Sequence, residues 1–287
     1  MALEIILIAG AIPVFLLTMI GESWWIHRKS PQPPEGVLGY TPRDTAASIA
    51  MGLGFLVIKH LSKLVVLPLY LLLYELRLFE IPTKGWQWWA LLIVLQDFAF
   101  YWYHRCHHEV RFLWAAHVNH HSSERFNLST ALRQSWTSPL TSVPFFAPLM
   151  LLGFEPAMFF AVALINLLYQ YWVHTELVGR LGFLEAIMVT PSHHRVHHGA
   201  QGRYLDRNHG GIFILWDRLF GTFEPESIPV VYGLTKNITT YNPVKIAFHE
   251  WVAMCRDVKN AKPFTDAWGY VIKRPGWGPH KNKTSSS

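Results

Sequence analysis

The sequence predicts an all-α integral membrane fold in which long transmembrane helices carry a cytoplasmic helical cap rich in histidine. Three observations predict it: apolar runs of membrane-spanning length, basic residues gathered on one side of those runs, and a thrice-repeated His-x-x-His-His pattern. Of the 287 residues, 51% are hydrophobic, 15% aromatic and only 15% charged, with a mean hydropathy of +0.18. Thirteen Trp and eleven Tyr suit the amphipathic belts of a bilayer interface. Two cysteines, Cys106 and Cys255, are too few for a disulfide framework and form no CxxC pair. The net charge of +6 would suggest nucleic acid in a soluble chain; here the distribution of that charge explains it better, and nucleic acid is not expected as a partner.

The first apolar run, Leu3–Ile20, precedes its positive charges (His27, Arg28, Lys29), the reverse of a signal peptide, and reads as a retained span. Pro31–Pro34 marks a loop. Thr45–Phe79 holds Lys59 and Lys63 in its middle. Each half is too short for the roughly 17–25 residues of a crossing, so one long helix is expected, its lysines sharing a face at i, i+4. Trp86–Tyr103 is the next span. Pro139–Leu152 and Pro156–Val173 form a hairpin around Gly153-Phe154-Glu155, and no later run is long enough to cross. This gives about five crossings with an external N-terminus. The loops 21–44, 104–137 and 175–287 then hold 21 of the 25 Lys/Arg, which makes the histidine side cytoplasmic. Three segments follow: N-terminal spans and linker (1–84), a catalytic segment (85–250), and a C-terminal extension (251–287) with a disordered tail from Pro275.

Eleven of the sixteen histidines lie between His104 and His198. The boxes are His104/His107/His108, His117/His120/His121 and His194/His197/His198, with His174 at the end of an apolar run. On a helix, positions i, i+3 and i+4 share one face, so each box is expected to point its imidazoles one way. His104 and His117, 13 residues apart, would be rotated by roughly 220° on a continuous helix. The chain must therefore turn around Val110–Leu113 and build a four-helix cage. This many imidazoles exceeds the four ligands of a structural zinc and suits two ions; imidazole binds iron, zinc or copper alike. His27, His60, His249 and His280 stand alone and read as ordinary histidines.

The stretch Asp97–Ser135 (DFAFYWYHRCHHEVRFLWAAHVNHHSSERFNLSTALRQS), with TPSHHRVHHG at Thr190–Gly199, GIFILWDRLFGTFEPE at Gly211–Glu226 and VYGLTKNITTYNPVK at Val231–Lys245, resembles the fatty acid hydroxylase/sterol desaturase superfamily of membrane di-iron oxygenases. The nearest branch is the alkylglycerol monooxygenase-like one. The resemblance covers about residues 85–250 and implies ligands at His104, His108, His117, His120, His121, His174, His194, His197 and His198. His107, His193 and His209 are additional candidates; His209 stands where the family usually has Tyr. The resemblance also implies two iron ions (zinc being able to replace them in a purified sample), O2, a lipid substrate and a separate reductase or reductant, with tetrahydrobiopterin as the donor if the branch holds. The chain has no GxGxxG nucleotide fingerprint. The resemblance implies hydroxylation of a lipid C–H bond, which beside an ether oxygen would cleave an alkylglycerol. Sterol, carotenoid, fatty acyl or headgroup oxidation is the alternative within the superfamily, and a zinc hydrolase or structural module the alternative outside it. An endoplasmic reticulum or bacterial inner membrane location fits.

Ligating histidines usually donate their second N–H to an acceptor. Asp97, about 10.5 Å before His104 along one helix, is the first candidate, followed by Glu109, Glu124 and Asp206. Asn127, Arg133 and Gln134 are candidates for the substrate entrance. Trp216, Phe220 and Phe223 in WDRLFGTF read as anchors of the cap rather than as a flap.

Overall fold

The computed structural model describes residues 2–28 and 37–279, with side chains from residue 10 onward. The Pro31–Pro34 loop and His280 with the residues after it lie outside the described residues. Helix α1 (Ala2–Arg28) leads to α2 (Pro42–Glu75), which starts with Pro in its first turn, where no N–H is needed. Lys59 and Lys63 do not break α2: it is one helix of 34 residues, about 51 Å long. Helix α3 (Trp86–Glu109) carries its apolar run directly into the first histidine box. Val110 then adopts an extended conformation (φ −117°, ψ 119°) and the short α4 (Arg111–Trp114) begins, so the chain turns where the box spacing requires.

The hairpin follows as α5 (Ser138–Thr141), α6 (Val143–Leu152) and α7 (Pro156–Trp172). Gly153 ends α6 in the left-handed region, with φ +112°. The cap comprises α8 (Pro191–His197), α9 (Leu215–Phe220), α10 (Pro243–Asn260) and α11 (Phe264–Ile272). Among the described residues, β-structure is limited to two isolated bridges.

Helices α2, α3, α6 and α7 pack around a core that includes Tyr70, Leu92, Tyr103, Phe146, Met150 and Phe159. On the outside of α2, Leu53, Val57, Leu61, Leu64 and Val65 are exposed, Leu64 at 74%. Apolar surface continuous along a helix marks contact with lipid or with protein. Among the described residues α2 is the one helix both long and apolar enough to cross a bilayer; α6 and α7 are apolar but shorter.

Two features bear on the expected segment boundaries. Helix α10 runs straight through residue 250, and its Ile246 and Ala247 pack on Ala47 and Met51 of α2, so neither end segment is detached from the middle one. Residues 275–279 are described, where a disordered tail was expected, and half-buried Trp277 packs its ring edge-on to Tyr270 at 5.4 Å.

A Cβ on Gly153 would stand 2.0 Å from the Phe79 carbonyl oxygen, in a backbone conformation that disfavours side chains. Gly153→Ala is expected to cost more than about 1 kcal/mol and to lower the thermal unfolding midpoint in detergent. Gly179→Ala, which meets open space, leaves it unchanged.

Candidate metal centre

Two groups of imidazoles form beneath the cap. His104, His108, His117, His121 and His197 make one; His120, His174, His194 and His198 make the other. Within each, the candidate ligand atoms lie within 4.8 Å of one another, and all nine residues are buried. The grouping corrects the expectation that each box points one way. The second box lies in turns and a 3-10 segment (His120–Ser122) rather than on an α-helix. Its i, i+4 pair, His117 and His121, joins the group of five while His120 crosses to the group of four. The third box reverses this: His194 and His198 join the four and His197 crosses to the five. The two boxes thus interlock the groups, α3 adding His104 and His108 to one and the end of α7 adding His174 to the other.

Backbone carbonyls set the ring orientations. Nδ1 of His174 donates to the Gln170 carbonyl at 2.7 Å, that of His104 to the His209 carbonyl at 2.8 Å, that of His197 to the Arg207 carbonyl at 2.9 Å and that of His120 to the Arg133 carbonyl at 3.3 Å. A carbonyl oxygen has no proton to give, so Nδ1 is the protonated nitrogen and each neutral ring turns an Nε2 lone pair inward. Burial first, and then the neighbouring imidazoles, hold His104, His117, His121, His194, His197 and His198 well below the ordinary value of 6.5. Burial brings His120 to about 4. The rings are therefore neutral at pH 7. Yet Nε2 of His120 and Nε2 of His174 lie 3.2 Å apart. Both carry lone pairs, and neither has a proton for the other. His174 and His194 approach to 2.9 Å through Nε2, and His104 and His117 to 3.0 Å. Nε2 of His108 and of His197 has no partner within the protein. Such convergence of acceptors fits a bound cation.

The remaining histidines stand apart. His107 is bonded at both nitrogens, to the Tyr103 carbonyl (2.7 Å) and the Thr141 hydroxyl (2.9 Å). His193 sits edge-on to Phe223. His209 is fully buried, its ring 5.0 Å from that of His108, with neither nitrogen partnered, and it belongs to neither group.

Asp97 touches no histidine. Its carboxylate accepts from the backbone of Ile212 (2.7 Å) and Phe213 (3.0 Å), from the Trp216 indole (3.0 Å) and from Asn166 (2.9 Å). It therefore pins the loop after His209 onto α3, and the acceptor for His104 is a loop carbonyl instead. Asp206, in a left-handed conformation with φ 57°, places a carboxylate oxygen 3.5 Å from Nδ1 of His108. Glu109 pairs with Arg105 and Arg274, away from the imidazoles. Glu124 is exposed on an outer cavity. Trp216 and Phe220 pack on α3, Phe220 against Tyr101 and Trp102, which makes them anchors.

Of the entrance candidates, Gln134 lines two cavities below the imidazoles. Asn127 closes its own loop, bonding Ser129 and the Gly39 carbonyl. Arg133 is 1% exposed and bridges Asp44 (2.5 Å), Ser48 and Ser122; it ties α2 to the second box. Other supports were not foreseen. Glu22 accepts from Thr175, Tyr40 and the Leu128 backbone, joining α1 to the residue after His174. Arg195 pairs with Glu226 through two 2.7 Å bonds and fixes α8. A signal existed for Asn166, a lone amide inside an apolar run; Glu22 and Arg195 had none.

Residues 89–222 match the family model described as fatty acid hydroxylase, a stretch that holds all nine grouped histidines. That stretch is similar to fatty acid hydroxylase domains. It is 42% identical over 283 residues to the alkylglycerol monooxygenase of Homo sapiens, covering 96% of this chain and 61% of that protein. The Xenopus tropicalis protein of the same name is 45% identical over 206 residues, 71% of this chain and 46% of that one. The ornithine lipid hydroxylase OlsE of Rhizobium tropici is 31% identical over 152 residues, 52% of this chain and 46% of that one. The chain spans 46% to 61% of the length of these relatives. No solved structure matches it significantly.

The buried neutral rings set a pH dependence. A histidine whose folded value lies below its unfolded 6.5 stabilises the fold above 6.5, and that stability is lost as pH falls toward the folded value, about 4 for His120. Chelator-treated protein in detergent is expected to unfold at a clearly lower temperature at pH 5 than at pH 7.5. Equal midpoints would contradict buried neutral imidazoles.

Proposed function

We propose that the chain is a membrane-embedded, di-iron lipid monooxygenase whose preferred substrate class is an ether-linked alkylglycerol. The observation that carries the reading is the approach of two lone-pair-bearing Nε2 atoms, His120 to His174 at 3.2 Å, each ring having its Nδ1 proton committed to a backbone carbonyl. His104, His108, His117, His121 and His197 would hold one ion, and His120, His174, His194 and His198 the other. Five imidazoles exceed the tetrahedral set of structural zinc, and an all-nitrogen donor set suits iron. An iron pair bound there would supply O2 activation and hydroxylation of an unactivated C–H bond.

The chain's own part is positioning and exclusion of water. The carbonyls of Gln170, His209 and Arg207 keep the Nδ1 protons and so aim the rings. Asp97 and Asp217 hold the loop above them, Asp217 through the backbone N–H groups of His209 and Gly210 at 2.7 Å. The alkylglycerol assignment rests on relatives of that name at 42% and 45% identity, against 31% for the ornithine lipid hydroxylase. Electrons come from an external donor, tetrahydrobiopterin in our reading. The exposed apolar faces of α1 and α2 lie in the bilayer of an endoplasmic reticulum or bacterial inner membrane, with the imidazoles at its cytoplasmic side.

Iron-replete protein is expected to carry two irons per chain by mass spectrometry and to consume O2 when given an alkylglycerol and a tetrahydropterin, releasing an aldehyde. His120→Ala loses at least one iron and essentially all turnover, whereas His107→Gln keeps both irons. Zinc alone with no O2 uptake would refute the oxygenase reading.

A further inference from the structure

Two cavities meet beneath the imidazoles. The first, of 220 Å³, lies between α1, α2 and α7 and is walled by such residues as Phe15, Leu16, Leu53, Leu164 and Leu168. His120 and His174 close one end of it. The second, of 180 Å³, lies between α2, α3, α6 and α7, and Ser62, Lys63, Gln96, Ser138 and Ser142 line it. Phe55, Lys59, Gln134, Leu167 and Gln170 line both. The cavities therefore adjoin, sharing a wall that includes Gln170, one helical turn before His174. No member of the group of five lines either one.

The two chambers differ in chemistry. Apart from the residues at the junction and at the imidazole end, the first offers only aliphatic and aromatic side chains. The second is walled by aromatic rings as well, Phe100, Tyr103 and Phe159 among them, but it adds serine hydroxyls, the amides of Gln96 and Asn166 and the ammonium of Lys63, all of which bond to oxygen. The stack of Phe15 on Tyr171, with centroids 3.7 Å apart, sets the height of α1: Ala11 lies one turn farther from His174. Along α7 the apolar chamber runs from His174 to Leu164, about 15 Å.

We propose that an amphiphilic lipid binds with its alkyl chain in the first chamber and a hydroxyl-bearing head group in the second, contacted by Lys59 and Lys63. The point where chain meets head group then lies beside His120 and His174. Within the function proposed above, on which this rests, the group of four faces the substrate and the group of five is closed off from it. Chain length is read at the Ala11 end and head-group polarity at the Lys63 end, independently of each other.

Photolabelling of the full chain in nanodiscs tests the placement without turnover. One alkylglycerol probe carries a diazirine at the chain terminus, a second carries it on the glycerol. The terminal probe is expected to label peptides around Ala11–Phe15 and Leu164–Leu168, and the glycerol probe those around Lys63 and Ser138–Ser142. The reversed pattern, or labelling only of the outer helix faces, overturns the proposal. Kinetics give the second readout. Ala11→Trp shifts the preferred chain to shorter lengths with head-group preference unchanged, and Lys63→Leu raises KM about tenfold with chain preference unchanged. An exchange of these effects, or neither effect in folded variants, also overturns it. Oxidation of alkylglycerol with labelling elsewhere defeats this placement alone; the expected labelling with no oxidation defeats the proposed function alone.

Discussion

Everything in this chain answers to the burial of nine clustered imidazoles, four of which have their Nδ1 protons tied to carbonyls and so turn acceptor nitrogens inward. A buried acceptor without a partner costs free energy, and here several are driven together. The backbone makes the arrangement definite. By taking the Nδ1 protons, the carbonyls of Gln170, His209 and Arg207 leave the Nε2 lone pairs no direction but inward. The unpartnered Nε2 atoms of His108 and His197 fit a bound cation. The supports around it share one logic. Asp97, Arg133, Arg195 and Glu22 are buried charges, each committed to segments distant in sequence, so that elements far apart along the chain are locked about one centre.

The interlocked boxes give that centre its asymmetry. Had each box served one site, two independent sites could have drifted relative to each other. Because His120 and His197 cross over, the second box and α8 are each bound to both groups, and the spacing between the groups becomes a property of short, stiff segments. Asymmetry also follows in number. Helix α3 gives two rings to one group, whereas the end of α7 gives a single ring to the other, and it is that group which borders the cavity between α1, α2 and α7.

Much of this was legible in the sequence. The unbroken apolar helix α2, the turn at Val110 and the nine grouped histidines follow from hydropathy, from helical rotation and from a family pattern matched in order and spacing. The crossing of His120 and His197 was not legible, because face arguments assume a regular helix and the second box folds in turns and a 3-10 segment. Asp97 was rightly singled out as a carboxylate needing partners, but its partners are backbone groups from residues 212 and 213, and no local pattern predicts a contact across more than a hundred residues. Arg133, expected at an entrance, proved to be a clamp for the same reason: its partner Asp44 lies in another helix. His107 had the right spacing and the wrong environment, since Thr141 satisfies the nitrogen that would otherwise have been offered.

The central claim concerns donor atoms, so X-ray absorption at the iron edge of the purified, iron-loaded protein tests it most directly. Five and four imidazoles on two ions predict a nitrogen shell with strong imidazole multiple scattering, between four and five rings per iron on average, and no sulfur. A shell with one or two rings per iron, or one dominated by carboxylate or thiolate, would contradict the account.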